Sequence, residues 1–393
     1  MSRWAAGALA LSMVALAGPA QAETTVTDVA AQAGIAETVN DGYGNSMVFD
    51  YNRDGVADLL LSRHMLAPTE LFRGNSGGTF TLVQALPSAD RHYCAAADFN
   101  ADGRPDFYCT IGADKGTATN KSNELWLQGL DGSFASVAGA WGAADPMGRG
   151  RDVAAADFNN DGRPDLFVGN GFPVSSTNPS PNRLYLNTGT SFTDASADLG
   201  ALKSGGICVL TGDYNADGRL DIFVCGRNNH LYYAKPDGTY ADKAKAFGMT
   251  GQWANGAVWG DFNHDARLDL AYVGDTGLFI FTNTGTGFTT TITPLAAGRN
   301  VAIADVDQDG NPDLYVVQGR AKYAEQADLL LMGNGDSTFH PYGAALPAVS
   351  GAGADGNDVA VIPNYNGRPA LLVTNGAGVS STAGPRQLLE FTG

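Results

Sequence analysis

The sequence predicts an all-β fold: a seven-bladed β-propeller of four-stranded antiparallel blades, its last blade closed by the N-terminal strand. A nine-residue acidic pattern recurs seven times, its first residues spaced by 48, 59, 56, 48, 44 and 57. Four short β-rich segments recur in step with it, and a unit of that size is one propeller blade. Gly (51) and Pro (17) are plentiful among the 393 residues while charged residues make only 17%. That balance belongs to a turn-rich globular chain, not to a coiled coil or a disordered one.

In chain order, the first segment reads as an export signal. Arg3 gives a short basic start, residues 5–18 are apolar, and Ala20-Gln21-Ala22 is a small-residue cleavage site. Residues 1–22 are therefore expected to be a signal peptide and 23–393 a single propeller domain, exported to the periplasm or the medium. No later apolar run is long enough to span a bilayer.

Within each unit an apolar first strand precedes the acidic pattern, as at 153–156 and 301–304, and a β-rich second strand follows it, as at 166–168 and 314–317. A third strand begins Leu-aromatic (Leu125-Trp126, Leu184-Tyr185, Leu231-Tyr232). A fourth opens on an aromatic after a Gly/Asn turn (Phe134, Phe192, Tyr240). The seventh unit ends after its third strand, at 388–391. Residues 25–34 match the fourth-strand segment 192–200, so the N-terminus is expected to supply the missing outer strand and cover the open edge.

The acidic pattern, D-x-[ND]-x-D-G-x-x-D, sets oxygens at positions 1, 3, 5 and 9 of a tight loop, with the carbonyl of position 7 as a further donor. Calcium takes six to eight such oxygens, and Gly at position 6 permits a left-handed turn. The first loop offers Asp50, Asn52, Asp54, Asp58 and the Val56 carbonyl; the second offers Asp98, Asn100, Asp102, Asp106 and Arg104. The third has Asp157, Asn159, Asp161, Asp165 and Arg163, and the fourth Asp213, Asn215, Asp217, Asp221 and Arg219. The fifth has Asp261, Asn263, Asp265, Asp269 and Arg267, with Ala266 in place of the glycine. The sixth has Asp305, Asp307, Asp309, Asp313 and Asn311. Five or six Ca²⁺ sites of structural role are expected. The seventh copy has Ile362 and Ala370 at ligand positions and is expected to hold none. These loops contain 19 of the 41 acidic residues, so the net charge of −17 says little about partners. With 24 basic residues the chain lacks the cation excess of a nucleic-acid binder.

The repeat resembles the FG-GAP/VCBS type of the integrin α N-terminal propeller and of many exported bacterial proteins. The resemblance covers essentially the whole mature chain. It implies a calcium-holding propeller that acts as a recognition or adhesion module for a protein or glycan, and a monomer is expected. The alternative is a carbohydrate-active enzyme, such as a polysaccharide lyase, on the same scaffold.

Other signals are weaker. Gly74-Asn-Ser76-Gly-Gly78 matches the G-x-S-x-G nucleophile motif, yet it falls where a strand three-to-four turn is expected instead of a strand-to-helix elbow. The five histidines show no metalloprotease spacing, and no catalytic constellation emerges. Cys94 and Cys109 flank the second loop and Cys208 and Cys225 the fourth, at offsets that set each pair opposite in its hairpin, so two intra-blade disulfides are expected. Recognition is expected on the rim away from the acidic loops. Its candidates are Tyr43, Arg91, His92, Arg149, Arg151, Trp253 and Arg299, beside polar residues such as Asn300 and Asp358.

Overall fold

The computed structural model describes residues 24–36, 45–62, 68–112, 122–171, 180–199, 205–295, 298–321, 324–325, 327–347, 356–375 and 385–393. The expected signal peptide and Tyr43 lie outside these residues, as do most of the connections between second and third strands in blades 2, 3 and 7.

Seven four-stranded antiparallel sheets form the ring. The innermost strands are Ser46–Phe49, Arg91–Ala97, Gly150–Ala156, Cys208–Gly212, Gly256–Gly260, Gly298–Ala304 and Gly356–Tyr365, defining blades 1 to 7 in order. Each touches the next around the ring, and the seventh returns to the first. Six blades take their four strands in sequence order. In blade 7 the fourth place is taken by Thr25–Asp28, which pairs antiparallel with Gln387–Thr392, Thr25 facing Thr392 and Asp28 facing Leu389. The sequence expectation of N-terminal closure is met.

The second strand of each blade is its most buried. Asp106–Ile111 and Asp165–Asn170 are buried at every position, because blades cover both of their faces. Alternate residues then serve opposite neighbours. Phe107 and Cys109 join Met47, Leu60 and Leu71 of blade 1, whereas Tyr108 joins Val153, Leu166 and Val168 of blade 3. Seven such apolar clusters form, one at each blade junction, including blade 7 against blade 1 through Ile35, Leu59, Leu372 and Leu388. The core is thus a ring of nearest-neighbour contacts, the arrangement of a repeat protein closed on itself.

Both disulfides form as expected, Cys94–Cys109 and Cys208–Cys225, each joining directly paired residues of first and second strands. The Gly74–Gly78 segment ends one strand and begins a three-residue turn, Ser76–Gly78, into the next. It is not a nucleophile elbow.

Candidate functional site

The six acidic loops sit in the hairpins between first and second strands, and the first five share one geometry. In the third, Asp157 accepts the backbone N–H of Asp161 (3.0 Å) and of Gly162 (2.7 Å), which curls the chain round its side chain. Asn159 accepts the same Asp161 N–H (3.0 Å), and Asp161 accepts that of Arg163 (3.0 Å). Gly162 has φ +84°, and its counterparts Gly55, Gly103, Gly218 and Gly310 are alike. Ala266 is held at +62° in the fifth loop, a left-handed conformation that costs a residue with a Cβ. A second left-handed position was not foreseen. Position 4 has φ between +56° and +62° in all six loops, at Arg53, Ala101, Asn160, Ala216, His264 and Gln308.

Position 9 does more than offer oxygen. Asp165 is fully buried; one carboxylate oxygen accepts the N–H of Phe158 (2.9 Å) and the other that of Asn187 (2.7 Å) in the third strand. Asp58, Asp106, Asp269 and Asp313 repeat both bonds. Burial pushes the carboxyls of Asp165 and Asp106 up to about 6, and those of Asp221 and Asp313 to about 7, against the opposing pull of these N–H donors. A cation beside them would act in the same sense as the donors and favour the charged form.

The residues fit a hard cation, for which an all-oxygen donor set is the proper one. In the sixth loop, oxygens of Asp305, Asp307 and Asp313 lie within 4.8 Å of one another, and Asp305 Oδ1 is buried with no hydrogen-bond partner. Loops two to five place a positive charge on the position 5 carboxylate. Arg104, Arg163, Arg219 and Arg267 each set Nη2 against Asp102, Asp161, Asp217 and Asp265, respectively. The seventh copy is closed: Ile362 pairs directly with Ala370, and the strands meet at a two-residue turn, Asn366-Gly367.

The opposite rim gathers only part of the expected set. Arg91 is removed from it. It is 1% exposed, lies inside the first strand of blade 2, and donates to Glu124 (2.7 Å), Thr69 (3.2 Å) and the Pro87 carbonyl (2.6 Å). Its guanidinium also lies 5.8 Å from the centroid of the Trp126 ring, so it serves as a tie between blades. His92 and Arg151 do meet, at 3.0 Å between Nε2 and Nη1, and Arg149 precedes the same strand with its Nε buried and unpartnered. Arg299 is exposed, and Trp253 is 37% exposed with the Arg227 guanidinium 5.7 Å from its ring centroid.

Asn300 and Asp358 are engaged with residues of other blades, and Asp358 is buried. Tyr93 Oη (3.0 Å) and Asn300 Nδ2 (2.6 Å) both donate to Asp358 Oδ1, while Asp358 Oδ2 accepts the Ser46 N–H of the next blade (3.1 Å). Asp152, at the equivalent place in blade 3, accepts the Val209 N–H of blade 4 (2.6 Å). Each follows a β-bulge that leaves one residue out of the pairing: Arg151, Arg299 and Asn357. The signal was readable as G-x-[DN]-V at 150–153, 298–301 and 356–359. The glycine is required because a Cβ on Gly150 would lie 2.6 Å from that of Thr110 in the preceding blade.

Fold and loops together define a repeat propeller with an oxygen-rich rim and a basic, aromatic one. A family model described as an FG-GAP-like repeat matches residues 50–109, 110–168, 169–224, 213–272 and 265–316, and the chain belongs to that family. Human cartilage acidic protein 1 is 36% identical over 117 residues, 29% of this chain and 16% of that protein. The Xenopus tropicalis protein of the same name is 30% identical over 170 residues, 38% of this chain and 25% of its own length. The chain therefore spans a quarter or less of these two relatives. Among solved structures, a lectin of Agrocybe aegerita, described for specific recognition of non-reducing terminal N-acetylglucosamine, is similar with TM-score 0.50 and 17% identity. That match covers 79% of this chain and 81% of the lectin. BBS1N, solved in complex with ARL6DN, is similar with TM-score 0.52 and 10% identity, over 90% and 95%. Both likenesses are of fold.

Proposed function

We propose that this propeller is an exported recognition module. Its first six acidic loops hold Ca²⁺ as structural ions, and its basic rim docks an anionic group of a glycan or protein ligand. The observation that carries the reading is the pairing of Arg149 and Arg151 beside His92, with Arg149 Nε buried and unpartnered, on the rim opposite the loops. A half-buried guanidinium with one N–H unmet is suited to a carboxylate or sulfate supplied from outside. The two disulfides and the absence, among the described residues, of a helix able to cross a membrane accord with export to an oxidising compartment.

The test compares two double variants in saturating calcium, using a glycan array that includes uronic-acid polymers. Arg149→Glu with Arg151→Glu is expected to abolish array binding at temperatures where the chain is still folded, with some loss of melting temperature because Arg151 is largely buried and bonded to His92 and the Gly150 carbonyl. Asp157→Asn with Asp161→Asn, on the other rim of the same blade, is expected to lower the melting temperature and spare binding while the ring is folded. Loss of affinity in the folded aspartate variant would move recognition to the loop rim. An unchanged melting midpoint of the wild type in excess chelator would remove calcium from the account. Release of unsaturated uronides from the same polymers would favour a lyase.

A further inference from the structure

We infer that the arginine at position 7 of loops two to five is a built-in cation, so that calcium dependence is concentrated in the sixth loop, where that arginine is absent. This rests on the calcium reading above.

Consider Asp161 in the third loop. Its Oδ1 accepts the Arg163 N–H (3.0 Å), and its Oδ2 accepts both Asn159 Nδ2 (2.9 Å) and Arg163 Nη2. The arginine is itself held, because its Nε donates to the Asn187 carbonyl (2.7 Å) in the third strand. The same fork recurs from Arg104 to the carbonyl of Gln128, from Arg219 to that of Ala234 and from Arg267 to that of Asn283, at 3.0–3.1 Å. In these four loops a fixed guanidinium already neutralises the carboxylate that a calcium ion would take. An entering ion must displace or share that oxygen beside a like charge, which weakens binding; before it enters, the loop is already tied to the sheet.

The sixth loop is built otherwise. It has Asp307 where the others have Asn, and no Lys or Arg between Asp305 and Asp313. Position 7 is Asn311, whose neutral amide reaches Asp309 Oδ2 (2.9 Å). Three carboxylates converge, with Asp305 Oδ1 buried and unpartnered. Such a cluster repels itself until a cation binds, so this loop couples most strongly to calcium. The first loop, with Val56 at position 7, stands between the two kinds, since its Arg53 is directed towards the neighbouring loop at Gly103.

Two exchanges test this on the mature chain, read by calcium calorimetry and by the melting-temperature difference between calcium and chelator. Asp307→Asn with Asn311→Arg gives the sixth loop the pattern of its neighbours. The tightest calorimetric step is expected to weaken about tenfold or more, and the calcium-induced stabilisation to shrink. Arg163→Gln in the third loop is expected to do the opposite, lowering the melting temperature in chelator more than in calcium and so widening the difference. Unchanged isotherms and unchanged differences in both variants, with calcium still binding, would overturn the inference and leave the calcium reading intact. Absence of any calcium heat in the wild type would overturn both. If Arg163→Gln does not fold in chelator, the sixth-loop exchange decides alone, because its expected result is a loss measured on a folded chain.

Discussion

Asn187, at the end of the third strand of blade 3, donates its side-chain amide to the Phe99 carbonyl inside the acidic loop of blade 2, at 2.9 Å. Gln128 makes the same reach to Tyr51 (3.2 Å) and Asn283 to Tyr214 (2.7 Å). The first, second and fourth loops are therefore latched to the following blade as well as curled on themselves. Asn187 is 1% exposed and also donates to the half-buried Pro164 carbonyl (3.0 Å), so its removal strands one buried and one half-buried acceptor. Asn187→Ala is expected to lower stability by about 2 kcal/mol in urea titrations. A loss under about 0.5 kcal/mol, the range of an ordinary surface change, would show that the latch is ornamental.

Ala266 is the one position where a fold-wide glycine has been replaced. Its φ of +62° is open to glycine without a steric cost. Ala266→Gly is expected to raise stability by about 1 kcal/mol, with a matching rise in the melting midpoint. A lower midpoint would mean that the alanine methyl packs usefully at this turn.

Deleting residues 24–34 removes the outer strand of blade 7. It also removes the buried Ala30 and Ala33, together with the Asp28 carboxylate that accepts the Leu388 N–H (3.1 Å). The exposed edge of Gln387–Thr392 would then be free to pair with another chain. Expected are a lower melting temperature and concentration-dependent association by light scattering. A truncated chain that melts like the chain beginning at residue 23 and stays monomeric contradicts closure as a stabilising device.

Asp152 supplies a dependence on pH. Burial, then the neighbouring charge of Asp358, raises its carboxyl to about 7 despite N–H bonds from Val209 and Val153. The folded state therefore holds its proton above the ordinary carboxylate range, while the unfolded chain releases it near 4. Stability from this group is complete below pH 4 and is lost as pH rises to about 7. Tyr93 and Arg151 share the surroundings and stay protonated throughout, since burial raises the phenol and lowers the guanidinium only to about 10. In saturating calcium, Asp152→Asn is expected to melt lower than wild type at pH 4.5, with the gap narrowing towards pH 7.5. Parallel curves would show that Asp152 is ionised throughout this range.

Legibility in the sequence followed the range of the interaction. The acidic loops and the cysteine pairs are local: their residues lie within one hairpin, so spacing alone disclosed them. Closure by Thr25–Asp28 was readable because a repeat makes a missing member conspicuous. Arg91 was misread because its partners Thr69 and Pro87 belong to the preceding blade, and no local pattern distinguishes a buried tie from a rim residue. Position 4 of the loops escaped notice because six different contexts, from Arg53 to Gln308, adopt the left-handed turn without a shared residue type. Asn300 and Asp358 both stand in the G-x-[DN]-V pattern, but that local pattern does not say that the copies of neighbouring blades bond to one another.

The pairing of Thr25 with Thr392 has a bearing on how the chain is made. Ribosomes deliver Thr25–Asp28 long before its partner strand Gln387–Thr392, so the first segment must wait, unpaired, through synthesis of all the blades between them. The contact joins residues 367 apart in sequence, and the loop-closure entropy is correspondingly large. Six blades can each collapse from neighbouring residues, but the seventh can join only after the others have curved far enough to bring the ends together. Completion of the circle is then a late, slow event, and before it the waiting edge of the last sheet is open to capture by another nascent copy.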